Sequence, residues 1–170
     1  MRTKKFSAEV LYTEDDLCAV DSDGIDFLKE QALGTTRERM RICAHKDVSD
    51  TLHEMIIVHH KGAFVRPHKH LGKIESCHII EGEVDLIVYD DEGEVTDVVR
   101  MGDYASGKTF YHRMSEPRFH TLLIHSDVLV FHEITNGPFE QSATEFPTWA
   151  PEEKDLNAVR QFMEGLARLV

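Results

Sequence analysis

Residues 62–82 read G-A-F-V-R-P-H-K-H-L-G-K-I-E-S-C-H-I-I-E-G. One residue separates His68 from His70, four separate His70 from Glu75, and six separate Glu75 from Gly82. A strand turns successive side chains to opposite faces, so His68 and His70 project from the same face. A short turn through Leu71, Gly72 and Lys73 can return the chain, bringing Glu75 on the next strand to the same interior. Two imidazoles and one carboxylate meeting inside a barrel make a divalent-metal site that still lacks a ligand. The plainer reading is three polar residues in a barrel mouth. Burying them together unpaired would cost on the order of several kcal/mol, which favours the metal.

Outward from this stretch the chain reads as short strands with turn signals between them. A first strand is expected over Phe6–Tyr12. Ser22 reads as the N-cap of a helix through Phe27, Leu28, Ala32 and Leu33, with Gly34 as its stop signal. Strands follow over Arg39–His45, Leu52–His60 and Ala63–His70, the last carrying the histidine pair. Ser76–Ile80 and Val84–Tyr89 flank the Glu81-Gly82-Glu83 turn, and Asp91-Glu92-Gly93 closes a hairpin onto Val95–Met101. Phe110–Met114, His120–His125 and Val128–Ile134 complete the series, which argues for an all-β sandwich or barrel. The tail from Pro151 reads as a helix with Glu152 and Glu153 in its first turn. Its apolar stripe of Leu156, Val159, Phe162, Met163 and Leu166 would cover the barrel or a dimer contact. The expected organisation is an N-terminal strand and helix extension over 1–34, a barrel over 35–150 and a C-terminal helix over 151–170.

The 170 residues can bury a sizeable core without staples. The formal net charge of −12 should repel phosphate backbones, which speaks against nucleic acid and anionic membranes as partners. No apolar run is long enough to span a bilayer, and M-R-T-K-K-F-S-A-E-V lacks the apolar segment of a signal peptide. Cys18, Cys43 and Cys77 are odd in number and widely spaced. They suggest a reducing, cytoplasmic setting without a disulfide framework.

Gly62, His68, His70, Glu75 and Gly82 match the first motif of the cupin superfamily, G(X)5HXH(X)3–4E(X)6G, at every position. The chain resembles that superfamily. The resemblance implies a double-stranded β-helix, the cupin jelly-roll barrel, here with short N- and C-terminal helices. It also implies a fourth ligand, a histidine from a later strand. His120, in E-P-R-F-H-T-L-L-I with Pro117 just upstream, fits best. The second motif departs from the family pattern: Gly102 is far from Pro117, and His125 follows where Asn is usual. R-E-R-M-R-I-C-A-H, Y-D-D-E-G, N-G-P-F at Asn136–Phe139 and W-A-P-E-E at Trp149–Glu153 lie in the same order as in the WbuC family of cupin-fold metalloproteins. Members of that family are often encoded in surface-polysaccharide gene clusters. The match covers roughly Thr35 to Glu153.

The implied ligand set, His68, His70, Glu75 and His120, suits iron, manganese, zinc, nickel or copper, one divalent ion per site. Four protein ligands on a six-coordinate ion leave two adjacent positions for water or substrate. Arg66 lies two residues before His68, and Arg118 two before His120, so both are expected beside the metal as anchors for an anionic group. The alternative turns both to the rim, paired with acidic residues. Cys77 reads as a small buried apolar residue, and His78 as a packed or interface residue. His60, Tyr111 and His132 are weaker candidates for acid–base work, with His112 beside them.

Three functions fit. The first is a metal-dependent enzyme, such as an isomerase or epimerase, acting on a sugar or nucleotide-sugar derivative. The second is an Fe(II)-dependent oxygenase, and the third a non-enzymatic barrel that binds a small polar or anionic molecule. A homodimer is expected, because exposed strands need cover.

Overall fold

The computed structural model describes residues 1–169. Val170, the last residue of the expected C-terminal segment, lies outside the described residues. The strands are β1 (Thr3–Lys5), β2 (Val10–Thr13), β3 (Arg39–Cys43), β4 (Leu52–His60), β5 (Lys69–His70), β6 (Glu75–Glu81), β7 (Glu83–Tyr89), β8 (Val95–Gly102), β9 (Tyr111–Met114), β10 (Phe119–Ile124), β11 (Val128–Asn136) and β12 (Thr144–Glu145). The helices are α1 (Ser22–Leu33) and α2 (Leu156–Leu166). The chain is thus mostly β, as expected.

Three sheets form, in the orders β1-β2-β3-β4-β11-β6-β9, β10-β7-β8 and β12-β5. One core cluster joins Met55, Ile57 and Phe131 of the seven-stranded sheet to Leu86, Val88 and Ile124 of the three-stranded sheet. The two larger sheets therefore pack face to face. Among the described residues they do not close into one hydrogen-bonded barrel. Each outer face carries a helix. Leu28 and Ala32 of α1 pack with Met40, Ile42, Val58 and Val130 on the larger sheet. Leu166, Phe162 and Met163 of α2 pack with Ile87, Tyr89, Phe119 and Leu123 on the smaller one. Full burial of a side chain such as Leu28 contributes about 1.5–3 kcal/mol.

Local differences from the expected elements have physical causes. The first strand is a hairpin of two short pieces, with Thr3 opposite Thr13. Asp21, not Ser22, caps α1, its carboxylate accepting from the Gly24 amide at 3.0 Å. Pro151 does not open α2; Asp155 caps it, accepting from the Ala158 amide at 3.0 Å. The expected strand over Ala63–His70 shrinks to Lys69–His70. Pro67 offers no amide hydrogen to a ladder, and the Val65 carbonyl is taken by the Thr121 hydroxyl instead. Gly82 turns β6 into β7 at φ +92°, where a Cβ would collide with the Val128 carbonyl oxygen, so the motif glycine is sterically required.

Candidate functional site

His68 and His120 face each other across an isolated antiparallel bridge, the His68 amide donating to His120 O at 3.1 Å and the reverse bond at 3.0 Å. Their ring centroids are 4.6 Å apart. His70 follows on β5, its ring 4.8 Å from His68 and 6.3 Å from His120. Glu75 enters at the start of β6. Its Oε1 is 3.1 Å from His120 Nε2 and its Oε2 3.8 Å from His70 Nε2. The four residues therefore converge, two residues of β5 and its approach meeting one from β6 and one from β10.

The histidines are oriented from behind. His68 Nδ1 lies 2.8 Å from Arg66 O, and His120 Nδ1 2.9 Å from Arg118 O. A carbonyl only accepts, so Nδ1 carries the proton in each ring and Nε2 presents its lone pair to the interior. His70 Nδ1 is 3.1 Å from the Thr144 hydroxyl. Burial pushes His68 down to about 3, helped by His120, and burial likewise pushes His70 to about 3, helped by His68 and His120. Burial also lowers His120. Glu75 moves the other way, raised by burial to about 7. The 3.1 Å contact between His120 and Glu75 is then not an ordinary ion pair. A lone pair on Nε2 faces a carboxyl oxygen, and the contact needs a proton or a cation between them. Among the described residues, no group of three or more His, Cys, Asp or Glu side chains is placed so that it could hold a metal ion as it stands. The donor set of His68, His70, Glu75 and His120, three neutral imidazoles and one carboxyl group, fits a divalent transition metal.

The cluster opens into a cavity of about 880 Å³ that runs beneath β2, β3, β4 and β11. Arg66 lines it. Its guanidinium lies over the Phe146 ring, 4.8 Å from the centroid, with Nη2 3.4 Å from Ala150 O and Nε buried without a partner. Arg118 is placed otherwise. It binds Asp97 at 2.7 Å and the Thr96 hydroxyl, and borders only a narrow crevice beside His70 and Glu75.

His60, Tyr111 and His132 lie off the cavity. His60 Nε2 is 3.0 Å from Lys29 O beneath α1. Tyr111 is 49% exposed on the edge strand β9. His132 pairs in register with Ile56 and His78, and its Nε2 is 3.8 Å from Glu54. Their neighbours His59, His112 and Glu133 line the cavity instead. Burial pushes His59 down to about 3 and His112 down to about 4. Burial raises Glu133 to about 7, with Glu75 adding to the rise and Arg41 opposing it. Cys77 is buried on the same wall, its thiol pushed well up by burial.

Glu133 and Arg41 escaped the sequence reading. Both faces of β11 and β4 are covered, one by α1 and one by the opposite sheet, so V-L-V-F-H-E shows no apolar–polar alternation from which to choose a face. The usable signal was register: once Glu75 is inward, its partner Thr135 and hence Glu133 must also be inward.

A family model described as a domain of unknown function (DUF6016) matches residues 20–101. No curated protein matches the sequence. Among solved structures, protein SO0799 from Shewanella oneidensis is similar over 88% of this chain and 96% of its own, at 14% identity and a TM-score of 0.56. The L-ribose isomerase of Cellulomonas parahominis is similar over 65% of each chain, at 16% identity and a TM-score of 0.50. An oxalate decarboxylase from Bacillus subtilis shares 20% identity over 58% of this chain, which spans only 24% of that protein, with a TM-score of 0.46. At these identities the likeness is one of fold, and cupin-fold proteins are among the neighbours. The fold of this chain is accordingly cupin-like.

Proposed function

We propose that this chain is a divalent-metal-binding cupin, with a jelly-roll core, that acts on a small polar molecule held in the cavity. His68, His70, Glu75 and His120 would hold the ion. One observation carries the reading: His120 Nε2 and Glu75 Oε1 stand 3.1 Å apart while His120 spends its Nδ1 proton on a carbonyl. A proton on Glu75 would satisfy that pair by itself, and the two further imidazoles that converge on it are what favour a shared cation over a structural role.

A bound divalent ion would polarise a carbonyl or hydroxyl oxygen of the ligand. The protein's own part is derived from its residues. The Arg66 and Arg118 carbonyls and the Thr144 hydroxyl fix the rings. Glu133, on the same cavity wall, is a carboxyl that exchanges its proton near neutral pH and so can hold or move one beside the ligand. Arg66 offers a cation to an anionic group. The cavity volume is within the range of about 300–1,000 Å³ usual for small-molecule sites. The substrate class we favour is a sugar or nucleotide-sugar derivative, supported by the resemblance of the N-G-P-F and W-A-P-E-E segments to the WbuC family. The isomerase named above shares the fold and is consistent with sugar chemistry on it.

The test is elemental analysis of untagged protein beside the His68→Ala variant. Near-stoichiometric metal in the parent, lost in the variant, supports the reading. No metal in either, even after reconstitution with iron, manganese, zinc or nickel, removes it.

A further inference from the structure

Arginines 37, 39 and 41 alternate into one side of the cavity, and two of them are neutralised. Arg37 and Arg39 share Glu9, with Arg37 Nη2 at 2.5 Å and Arg39 Nε at 3.0 Å from Glu9 Oε2. Arg37 also reaches Glu153 at 3.1 Å. Arg41 has no such partner. Among the described residues its guanidinium makes no ion pair, and its Nε is buried without a hydrogen-bond acceptor. Carboxylates are not scarce, since the chain has 31 acidic and 19 basic residues. A buried guanidinium nitrogen left without an acceptor is costly, and five donors in a fixed fork are built for an oxyanion.

The place of Arg41 is well defined. It pairs in register with Val10 and Ile57, on the wall that carries Tyr12, Cys43 and Met55 one row away. Its charge acts on His45, His59 and Glu133, all of which line the same cavity. Arg66 is the second guanidinium there with a buried, unpartnered Nε. Among the described residues, two guanidiniums without a carboxylate partner thus share one cavity with the histidine cluster, in a protein whose net charge is −12.

We propose that Arg41 seats an anionic group, a carboxylate or a phosphate, of the ligand that occupies this cavity, with Arg66 as the second cation. The inference rests on the cavity being the ligand site proposed above, and it narrows the ligand to a small molecule carrying an oxyanion away from its metal-facing end. Glu133 lines the same cavity and feels the charge of Arg41. It forms no ion pair with Arg41 within 4.0 Å, so the fork remains free for a ligand.

The experiment uses full-length protein freed of metal with a chelator and then dialysed. Succinate and inorganic phosphate are titrated separately at constant ionic strength, by calorimetry and by the Nε–Hε signals of ¹⁵N-labelled arginine. The expected result is saturable binding of at least one anion, with the Arg41 signal shifting. Preference for succinate would indicate a carboxylic acid ligand, and preference for phosphate a phosphorylated one. Arg41→Met should weaken binding at least tenfold, and Arg41→Lys should restore part of it. The wild-type signal decides the matter should Arg41→Met not fold. No movement of the Arg41 signal with either anion, or unaltered affinity in folded Arg41→Met, overturns the proposal. Metal uptake, measured separately, keeps the two readings apart. Metal binding without an anion response sinks Arg41 and leaves the metal reading, whereas an anion response without metal uptake does the reverse.

Discussion

The segments Arg66–His68 and Arg118–His120 are built alike and end differently. In each, an arginine carbonyl accepts from the Nδ1 of the histidine two residues on, at 2.8 and 2.9 Å, and the two histidines share a bridge. The arginine side chains part company. Arg66 turns onto Phe146 inside the cavity, whereas Arg118 crosses β7 to Asp97 and Thr96 on β8. The cause lies in what each backbone can pair with. Residues 63–67 form no strand, being tied through Val65 to Thr121 and covered by Phe162 against Phe64. Arg118 sits at the end of a regular strand beside an acidic neighbour. The comparison teaches that the backbone can fix a ligand's orientation while the side chain on the same peptide is free for a different task.

The largest expected effect tests the shared half of that pattern. His68→Ala and His120→Ala should each lower metal affinity more than about 100-fold, beyond the roughly 10–100-fold typical of losing an outer partner. Retention of metal by both, read by elemental analysis, would remove their role as ligands, and retention by only one would break the equivalence. Next comes Glu133, the inward neighbour of outward His132. Its carboxyl is held at about 7 in the folded chain, against 4.5 when unfolded. A raised acid contributes stability that is fully present below its unfolded value and is lost as pH rises through its folded one. Each tenfold change in the acid constant is worth about 1.4 kcal/mol, so the loss comes to roughly a few kcal/mol. Urea unfolding with chelator present should show wild type losing stability from about pH 5 to 8 and Glu133→Gln losing less; parallel curves would place Glu133 in water. Arg66→Ala should weaken anion binding about tenfold, the value of one charge-assisted contact, and leave metal content unchanged. Metal loss there would make Arg66 structural. Arg118→Ala is expected to alter neither binding event. A change in anion affinity comparable to that of Arg66→Ala would erase the distinction between the two segments.

Much of this arrangement was legible before the structure. The H-x-H pair, Glu75 and Gly82 are set by strand period and turn geometry, which are local. The helices were readable because caps and apolar stripes are local too, although Asp155 rather than Pro151 starts the second. What lay beyond reach was facing. His60 and His132 were singled out and Glu133 was missed because β4 and β11 are central strands covered on both sides, where alternation carries no information. Arg41 was hidden for a related reason. Its isolation depends on Glu9 and Glu153 choosing Arg37 and Arg39, a partition made by tertiary contacts.

The metal reading requires that three imidazoles and Glu75 share one ion. X-ray absorption on protein loaded with one equivalent of zinc tests it directly. The expected spectrum shows nitrogen and oxygen at about 2.0–2.1 Å with outer scattering from about three imidazole rings. A sulfur scatterer at about 2.3 Å, which would implicate Cys77, or scattering from a single ring would contradict it.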